Sequence, residues 1–138
     1  MKTVCLIGSF RFYKDMLNIQ KKLISSGVPC FVPQPSDYRD ADDPSKFLPS
    51  SHEQPKEMVL RDAHESTIRC FGKIDECNII YVVNRGGYVG KSTLLDFGYA
   101  YAKKKPIHAL EAVDDFAVLS LIKEVVSSDR LIEMAKEG

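Results

Sequence analysis

NIIYVVNRGGYVGKSTLLDFGYAYAKKKPIHAL, residues 78–110, holds an apolar run rich in β-branched residues (Ile79 to Val83) and then a turn with Gly86, Gly87 and Gly90. A helix opening at Ser92 follows, and a second apolar run stands behind Pro106. Apolar strand, glycine turn and helix start form the order in which parallel α/β proteins aim backbone N–H groups and a positive helix end at an anion. The stretch therefore predicts both the fold class and the place of a site.

Upstream, Thr3 to Ile7 (TVCLI) reads as a buried strand closed by Gly8 and Ser9. Phe12, Met16, Ile19 and Leu23 then recur at i, i+4, i+7 and i+11, one face of a helix that Gly27 closes. Val28 to Val32 is a second strand, stopped by Pro33 and Pro35. From residue 34 to 55 (QPSDYRDADDPSKFLPSSHEQP) stand four prolines and four aspartates. A segment of this length and composition spells a mobile lid, with Tyr38, Phe47 and Leu48 able to pack onto something. Helical periodicity returns with Val59, Ala63, Ser66 or Thr67, and Cys70, ending near Gly72. Beyond the glycine turn come a helix from Ser92 to about Lys104 and a strand from Ile107 to Leu110. A last helix runs from Asp114 or Asp115 to about Ser127 with Phe116, Leu119 and Ile122 inward, and a short tail helix follows.

Short apolar strands alternating with helices predict an α/β fold. The expected form is one domain over residues 1–138, a doubly wound parallel sheet of four to five strands in order 2-1-3-4, with helices on both faces, flavodoxin-like or Rossmann-like. The ligand crevice of such a sheet lies outside the carboxyl ends of the strands where the order reverses, here between strands 1 and 3. The loops there are Gly8 to Tyr13 and Asn84 to Lys91.

Nineteen basic and nineteen acidic residues give a formal net charge of zero, with neither sign in a long block. That balance speaks against nucleic-acid and membrane-surface partners. The longest apolar run near the N-terminus, Val4 to Ile7, is too short for a signal peptide or a membrane span, so a cytoplasmic protein is expected. Cys5, Cys30, Cys70 and Cys77 have no CxxC spacing and read as free thiols. His52, His64 and His108 share no ligand spacing. No metal and no cofactor are expected.

GYVGKST invites comparison with the phosphate loop GxxxxGK[ST]. Counting back from Gly90, the required glycine falls on Arg85, and Gly86 is one residue too close. Ile107 to Leu110 ends in Glu111 rather than in the aspartate that would hold magnesium. The NTPase reading thus lacks two of its parts, and Lys91 is left as a solvated residue or a partner for a ligand anion. With Ser92 as N-cap, Asp96 lies one turn further on the same face, its carboxylate pointing back over the glycine turn. An anionic oxygen there is a candidate nucleophile. An aspartate in an early helical turn also simply complements the helix dipole. Gly98 inside this helix costs about 1 kcal/mol relative to alanine and reads as a place of close helix-to-sheet approach.

GSFRFYK (residues 8–14) and KIDECNIIYVVNRGGYVGKSTLLDFGYAYAKKKPI (residues 73–107) together give the chain a family likeness. It resembles the nucleoside 2-deoxyribosyltransferase-like superfamily, which includes deoxynucleoside monophosphate N-glycosidases, and in particular its small members with a GGYIG-type turn. The likeness covers residues 3–33 and 73–110. It implies cleavage or transfer at the N-glycosidic bond of a (deoxy)nucleoside or its 5'-monophosphate, by a transferase or a hydrolase. It also implies a homodimer or higher homo-oligomer. The family's catalytic glutamate stands before [LI]GYA, and DFGYA here places Asp96 at that position, one methylene shorter. Where the family carries a carboxylate near the end of the central strand this chain has Asn84, so that Asp75 or Asp37 would have to supply the acid. Ser9 and Arg11 correspond to the part that meets a 5'-hydroxyl or phosphate, and Phe10 could stack on a base. With Gly8, Asn84, Gly86, Gly87, Gly90 and Ser92 they complete the expected substrate-binding set. The alternative is a nucleotide-binding or signalling module that keeps the crevice and has lost the chemistry, a reading favoured by Asn84 and the shortened carboxylate.

Overall fold

The computed structural model describes residues 1–35, 38–40, 42–48 and 56–137. Val4–Ile7 (β1), Cys30–Phe31 (β2), Ile79–Val82 (β3), Ile107–Ala109 (β4) and Glu124–Val125 (β5) form one sheet in the order β2-β1-β3-β4-β5. Every pairing is parallel, with Leu6 beside Tyr81 and Tyr81 beside His108. The doubly wound order expected from the sequence is thus present, extended by one edge strand. All four residues of β1 and of β3 are buried, as strands covered on both faces require.

Successive side chains of these strands feed two cores. Val4, Leu6, Ile79 and Tyr81 pack with Met16, Ile19 and Leu23 of helix Tyr13–Ser25 (α1) and with Leu131 and Ala135 of helix Ser128–Glu137 (α5). Cys5, Ile7, Ile80 and Val82 pack on the other face. Their partners are Ile74 of helix Lys56–Glu76 (α2), and Phe97 and Ala100 of helix Lys91–Ala102 (α3). Helix α1 stops where the sequence predicts. Gly27 takes φ +87°, its N–H bonds Ile24 O, and the N–H of Val28 bonds Leu23 O, the paired closure that a left-handed residue permits.

Two elements differ from expectation. Helix α2 does not end at Gly72 but continues to Glu76, because Phe71 stacks on Tyr99 of α3 (centroids 4.2 Å apart, planes 6° apart) and Ile74 is fully buried. That packing outweighs the cost of about 1 kcal/mol of a glycine inside a helix. The helix expected to reach Ser127 lasts one turn, Phe116–Leu119 (α4), capped by Asp115 Oδ1, which accepts from the N–H groups of Ala117 and Val118. The chain then turns into β5, where the Lys123 N–H bonds Ile107 O and the Val126 N–H bonds Ala109 O. The sheet edge competes successfully for residues that periodicity alone assigns to a helix. Of the three residues read as inward, Ile122 joins the core beside Val118 and Leu121, whereas Phe116 is 85 % exposed.

Gly98 does not serve helix-to-sheet approach. A Cβ added there would meet nothing within 4 Å, and the residue is exposed. Among the described residues no helix is long and apolar enough to cross a membrane, and no group of three His, Cys, Asp or Glu side chains is placed to hold a metal ion.

Candidate functional site

A cleft of about 920 Å³ opens at the carboxyl ends of β1 and β2, between the loops that follow them, α2 and the first turns of α3. This is the side of the sheet where ligands of doubly wound folds bind. Gly8 sits in its wall with no room for a side chain, since a Cβ there would lie 2.7 Å from Val83 O. The glycine lets the ends of β1 and β3 close up. Ser9 then caps a single 3-10 turn, Phe10–Phe12, its Oγ accepting from the Arg11 N–H at 3.3 Å. The turn throws Phe10 and Arg11 into the cleft. The Arg11 Cζ lies 3.7 Å from the centre of the Tyr88 ring, which Phe12 meets edge-on, so its guanidinium is held over that ring.

Part of the 34–55 segment reaches the same cleft. Arg39 and Phe47 are bridged as antiparallel partners, and the Arg39 guanidinium lies between the rings of Phe10 (4.7 Å) and Phe47 (4.4 Å). Its Nη1 donates to Pro44 O at 2.8 Å, and burial lowers its pKa. Described residues of this segment therefore wall the site, and the remainder, Asp37 and His52 included, lies outside the described residues.

Helix α3 begins at Lys91, with Gly90 as its N-cap and no side-chain cap bond. Ser92, expected as the cap, is the second helical residue and lines the cleft with Gly90, Lys91 and Asp96. The Asp96 carboxyl is pushed up to about 6, chiefly by burial and against the opposing effect of a hydrogen bond from the Cys70 thiol. Burial and the facing carboxylate together push the Cys70 thiol up, so it stays protonated at neutral pH.

The charge of the cleft is lopsided. Arg11, Arg39, Arg69, Lys73 and Lys91 line it, and among the described residues Asp96 is its one acidic side chain. A chain of zero net charge thus places five cations and, among the described residues, a single carboxylate in the lining of one cleft, an arrangement that draws in an anion.

Four expected site residues lie elsewhere. Asn84 is fully buried, and its side chain is spent on the chain leaving β4: Nδ2 donates to Glu111 O at 2.8 Å and Oδ1 accepts from the Glu111 N–H at 3.0 Å. Gly86 and Gly87 hold φ of +66° and +80°, the Gly86 N–H donates to Glu111 Oε2 at 2.9 Å, and a Cβ on Gly87 would stand 2.6 Å from Ala112 O. These three residues close the turn against the end of β4 and do not line the cleft. Removing the Asn84 amide leaves both polar groups of Glu111 without it, so Asn84→Ala is expected to lower the unfolding free energy by about 2 kcal/mol. Urea denaturation should show this as a lower midpoint at unchanged slope. Asp75 stands near the end of α2, before β3 and so at the amino edge of the sheet, away from the cleft. Its carboxylate accepts from the Tyr99 hydroxyl at 2.8 Å and lies 3.8 Å from Lys103 Nζ.

Sequence reasoning missed the contribution of α2. Ala63, Ser66, Thr67, Cys70 and Lys73 all line the cleft, joined by Arg69. Part of this stripe is legible as the inward face of a helix, but no large apolar side chain stands in it from Ala63 to Lys73. An inward face made of small and polar residues marks a wall of a cavity rather than of a core.

No protein-family model matches the sequence, and no curated protein matches it. Solved structures do. The CMP N-glycosidase BcmB of Clostridium botulinum superposes with a TM-score of 0.54 at 14 % identity, over 99 % of this chain and 100 % of that one. A conserved protein from Enterococcus faecalis V583 gives 0.52 at 15 % identity, over 99 % and 98 %. At such identity the likeness is one of fold, and it spans the whole α/β architecture.

Proposed function

We propose that this protein cleaves the N-glycosidic bond of a nucleoside 5'-monophosphate, deoxyribose or ribose, releasing the free base, as a member of the nucleoside 2-deoxyribosyltransferase-like superfamily. The observation that carries the reading is one partly buried carboxylate, Asp96, set in a cleft otherwise lined by cations. Departure of the base leaves positive charge on the anomeric carbon, which an adjacent carboxylate stabilises or captures as a glycosyl ester. Water, or an acceptor base in a transferase, then takes the sugar. In hydrolysis the hydroxyl goes to the anomeric carbon and the remaining proton to the base.

The phosphate suits Ser9, Arg11, Gly90, Lys91 and Ser92, where a helix N-terminus, two hydroxyls and two cations line the cleft. Phe10, clamped beside Arg39, offers a face for the base. Among the described residues no second carboxylate lines the cleft, so we assign the negative charge developing on the leaving base to hydrogen bonds from guanidinium groups, Arg39 the nearest to the aromatic face. The same lack favours the second reading, a nucleotide-binding module without turnover.

Incubation of the protein with a panel of nucleosides and their 5'-monophosphates, followed by chromatography, separates the two. Free base from the monophosphates, in excess over that from the nucleosides, is expected. Thermal stabilisation by nucleotides without release of base would select the binding module.

A further inference from the structure

We infer that the cleft holds a second anion site, formed by Arg69 and Lys73 over β2, and that its ligand is a nucleotide with a second anionic group on the side of the sugar away from the 5'-phosphate. The inference rests on the position proposed above for that phosphate, but not on turnover. Phe71 of α2 faces α3, where it stacks on Tyr99. At about 100° of turn per residue, Arg69 and Lys73, each two positions from Phe71, project from the opposite flank of α2, one helical turn from each other. There Lys73 Nζ lies 4.5 Å from the centre of the Phe31 ring, so this flank stands over β2 at the edge of the sheet. Cys70 projects between the two flanks, and its thiol donates to the Asp96 carboxyl.

The first anion site belongs to the other side of the cleft. Lys91 opens α3, which follows β3, and Arg11 is held over Tyr88 just before it. Strands β2 and β3 flank β1, two strand spacings or roughly 10 Å apart, a distance that one phosphate does not span. All four cations line the one cleft, and a ligand that reaches from the first pair to the second passes the Asp96 carboxyl where it meets Cys70. Lys73 also lies 3.5 Å from Glu76 Oε2, but with 41 % and 60 % of the two side chains in solvent that pairing contributes little and leaves the ammonium to a stronger partner. At about 920 Å³ the cleft stands near the top of the roughly 300–1,000 Å³ that small-molecule sites enclose, so a ligand longer than a nucleoside monophosphate has room. Two kinds of nucleotide supply the second anion: one whose base carries a carboxylate, and one whose sugar carries a second phosphate.

Titration calorimetry on the full chain with two pairs of probes tests this. Nicotinate and nicotinamide mononucleotides differ in a carboxylate against a carboxamide, and thymidine 3',5'-bisphosphate differs from thymidine 5'-monophosphate in the second phosphate. In at least one pair the member with the additional anion is expected to bind about tenfold tighter or more. A preference within the first pair assigns the acid to the base, and one within the second assigns it to the sugar. Arg69→Gln combined with Lys73→Gln, which keeps much of both stems, should bind the two members of each pair alike, with circular dichroism checking its fold. If that variant does not fold, Arg69→Gln alone, at an exposed position, must reduce the preference by about threefold or more. Equal affinities within both pairs overturn the inference and leave the proposed function standing, and a preference that survives the α2 substitutions overturns it as well. Affinities indifferent to Arg11→Ala combined with Lys91→Ala, or no binding by any of the four probes at roughly 1 mM, overturn the position of the 5'-phosphate and the inference with it.

Discussion

Asp96→Asn is expected to reduce release of free base by about 10³-fold or more, on the scale of removing the central group of a covalent or electrostatic catalyst. The same substitution should make the protein more stable at neutral pH. The Asp96 carboxyl rises from an ordinary 3.8 to about 6 because the folded chain buries it. The folded state therefore holds its proton more tightly than the unfolded state, and stability falls as pH rises from about 4 to about 6. Above that window the penalty for the buried charge is fully present, on the order of 3 kcal/mol at most, and below it the penalty vanishes. The asparagine variant should accordingly melt several degrees higher than wild type at pH 7 and within a degree or so of it at pH 4. If the ionised form acts, kcat/KM of the wild type should fall tenfold per pH unit below about 6. Undiminished turnover in the asparagine variant would remove Asp96 from the chemistry. A melting temperature that does not rise at neutral pH would show instead that the cations around the carboxylate already offset its burial.

Replacing Arg11 and Lys91 together by alanine is expected to weaken a 5'-monophosphate by about 10² to 10⁴-fold, each charge-assisted contact contributing roughly 1.5–3 kcal/mol. Binding of the parent nucleoside should change by less than about threefold, because it carries no anion for these groups to meet. Titration calorimetry at two salt concentrations provides the measurement, and wild-type affinity for the monophosphate should decline with salt more steeply than that of the double variant. Arg11→Lys alone should recover only part of the loss, since a lysine presents no planar fork for the phosphate or for the Tyr88 ring, over which the Arg11 Cζ sits at 3.7 Å. Equal losses for nucleoside and monophosphate would place the phosphate elsewhere in the cleft, with Arg69 and Lys73 of α2 the next candidates.

The parts of the fold legible in the sequence are those written in local, periodic terms. Ile79 to Val82 had to be a central strand because a run of that hydrophobicity can only be buried on both faces, and Met16, Ile19 and Leu23 repeat at the spacing of one helix face. The C-terminal segment was misread where local propensity and tertiary pairing disagree. Ser120 to Val125 shows helical spacing, yet β4 offers an open ladder edge that Glu124 and Val125 complete. Gly72 was a plausible stop until Phe71 met Tyr99, a contact 28 residues away that no local pattern announces.

The candidate site divides in the same way. The first loop and the start of α3 are adjacent to strands that the sequence identifies, so topology puts Gly8, Ser9, Phe10, Arg11 and Gly90 at one crevice, helix geometry adds Ser92 and Asp96, and all seven line the same cleft in the structure. Asn84, Gly86 and Gly87 stood equally near in sequence but bond to Glu111 or abut Ala112, and so the glycines shape a turn rather than cradle a ligand.

By itself, then, the sequence determined the α/β alternation, the doubly wound order and the end of the strands at which the cleft opens, because strand burial, helix periodicity and right-handed crossover act on neighbouring residues. Only the tertiary structure decided the electrostatic character of that edge. Arg39, Arg69 and Lys73 come from segments whose sequence carries no mark of the site, and their place in the same cleft as Asp96 depends on how α2 and the described residues of the 38–48 stretch pack over the strand ends. Charge acts through space, and a net charge of zero in the sequence conceals a cleft lined, among the described residues, by five cations and one carboxylate.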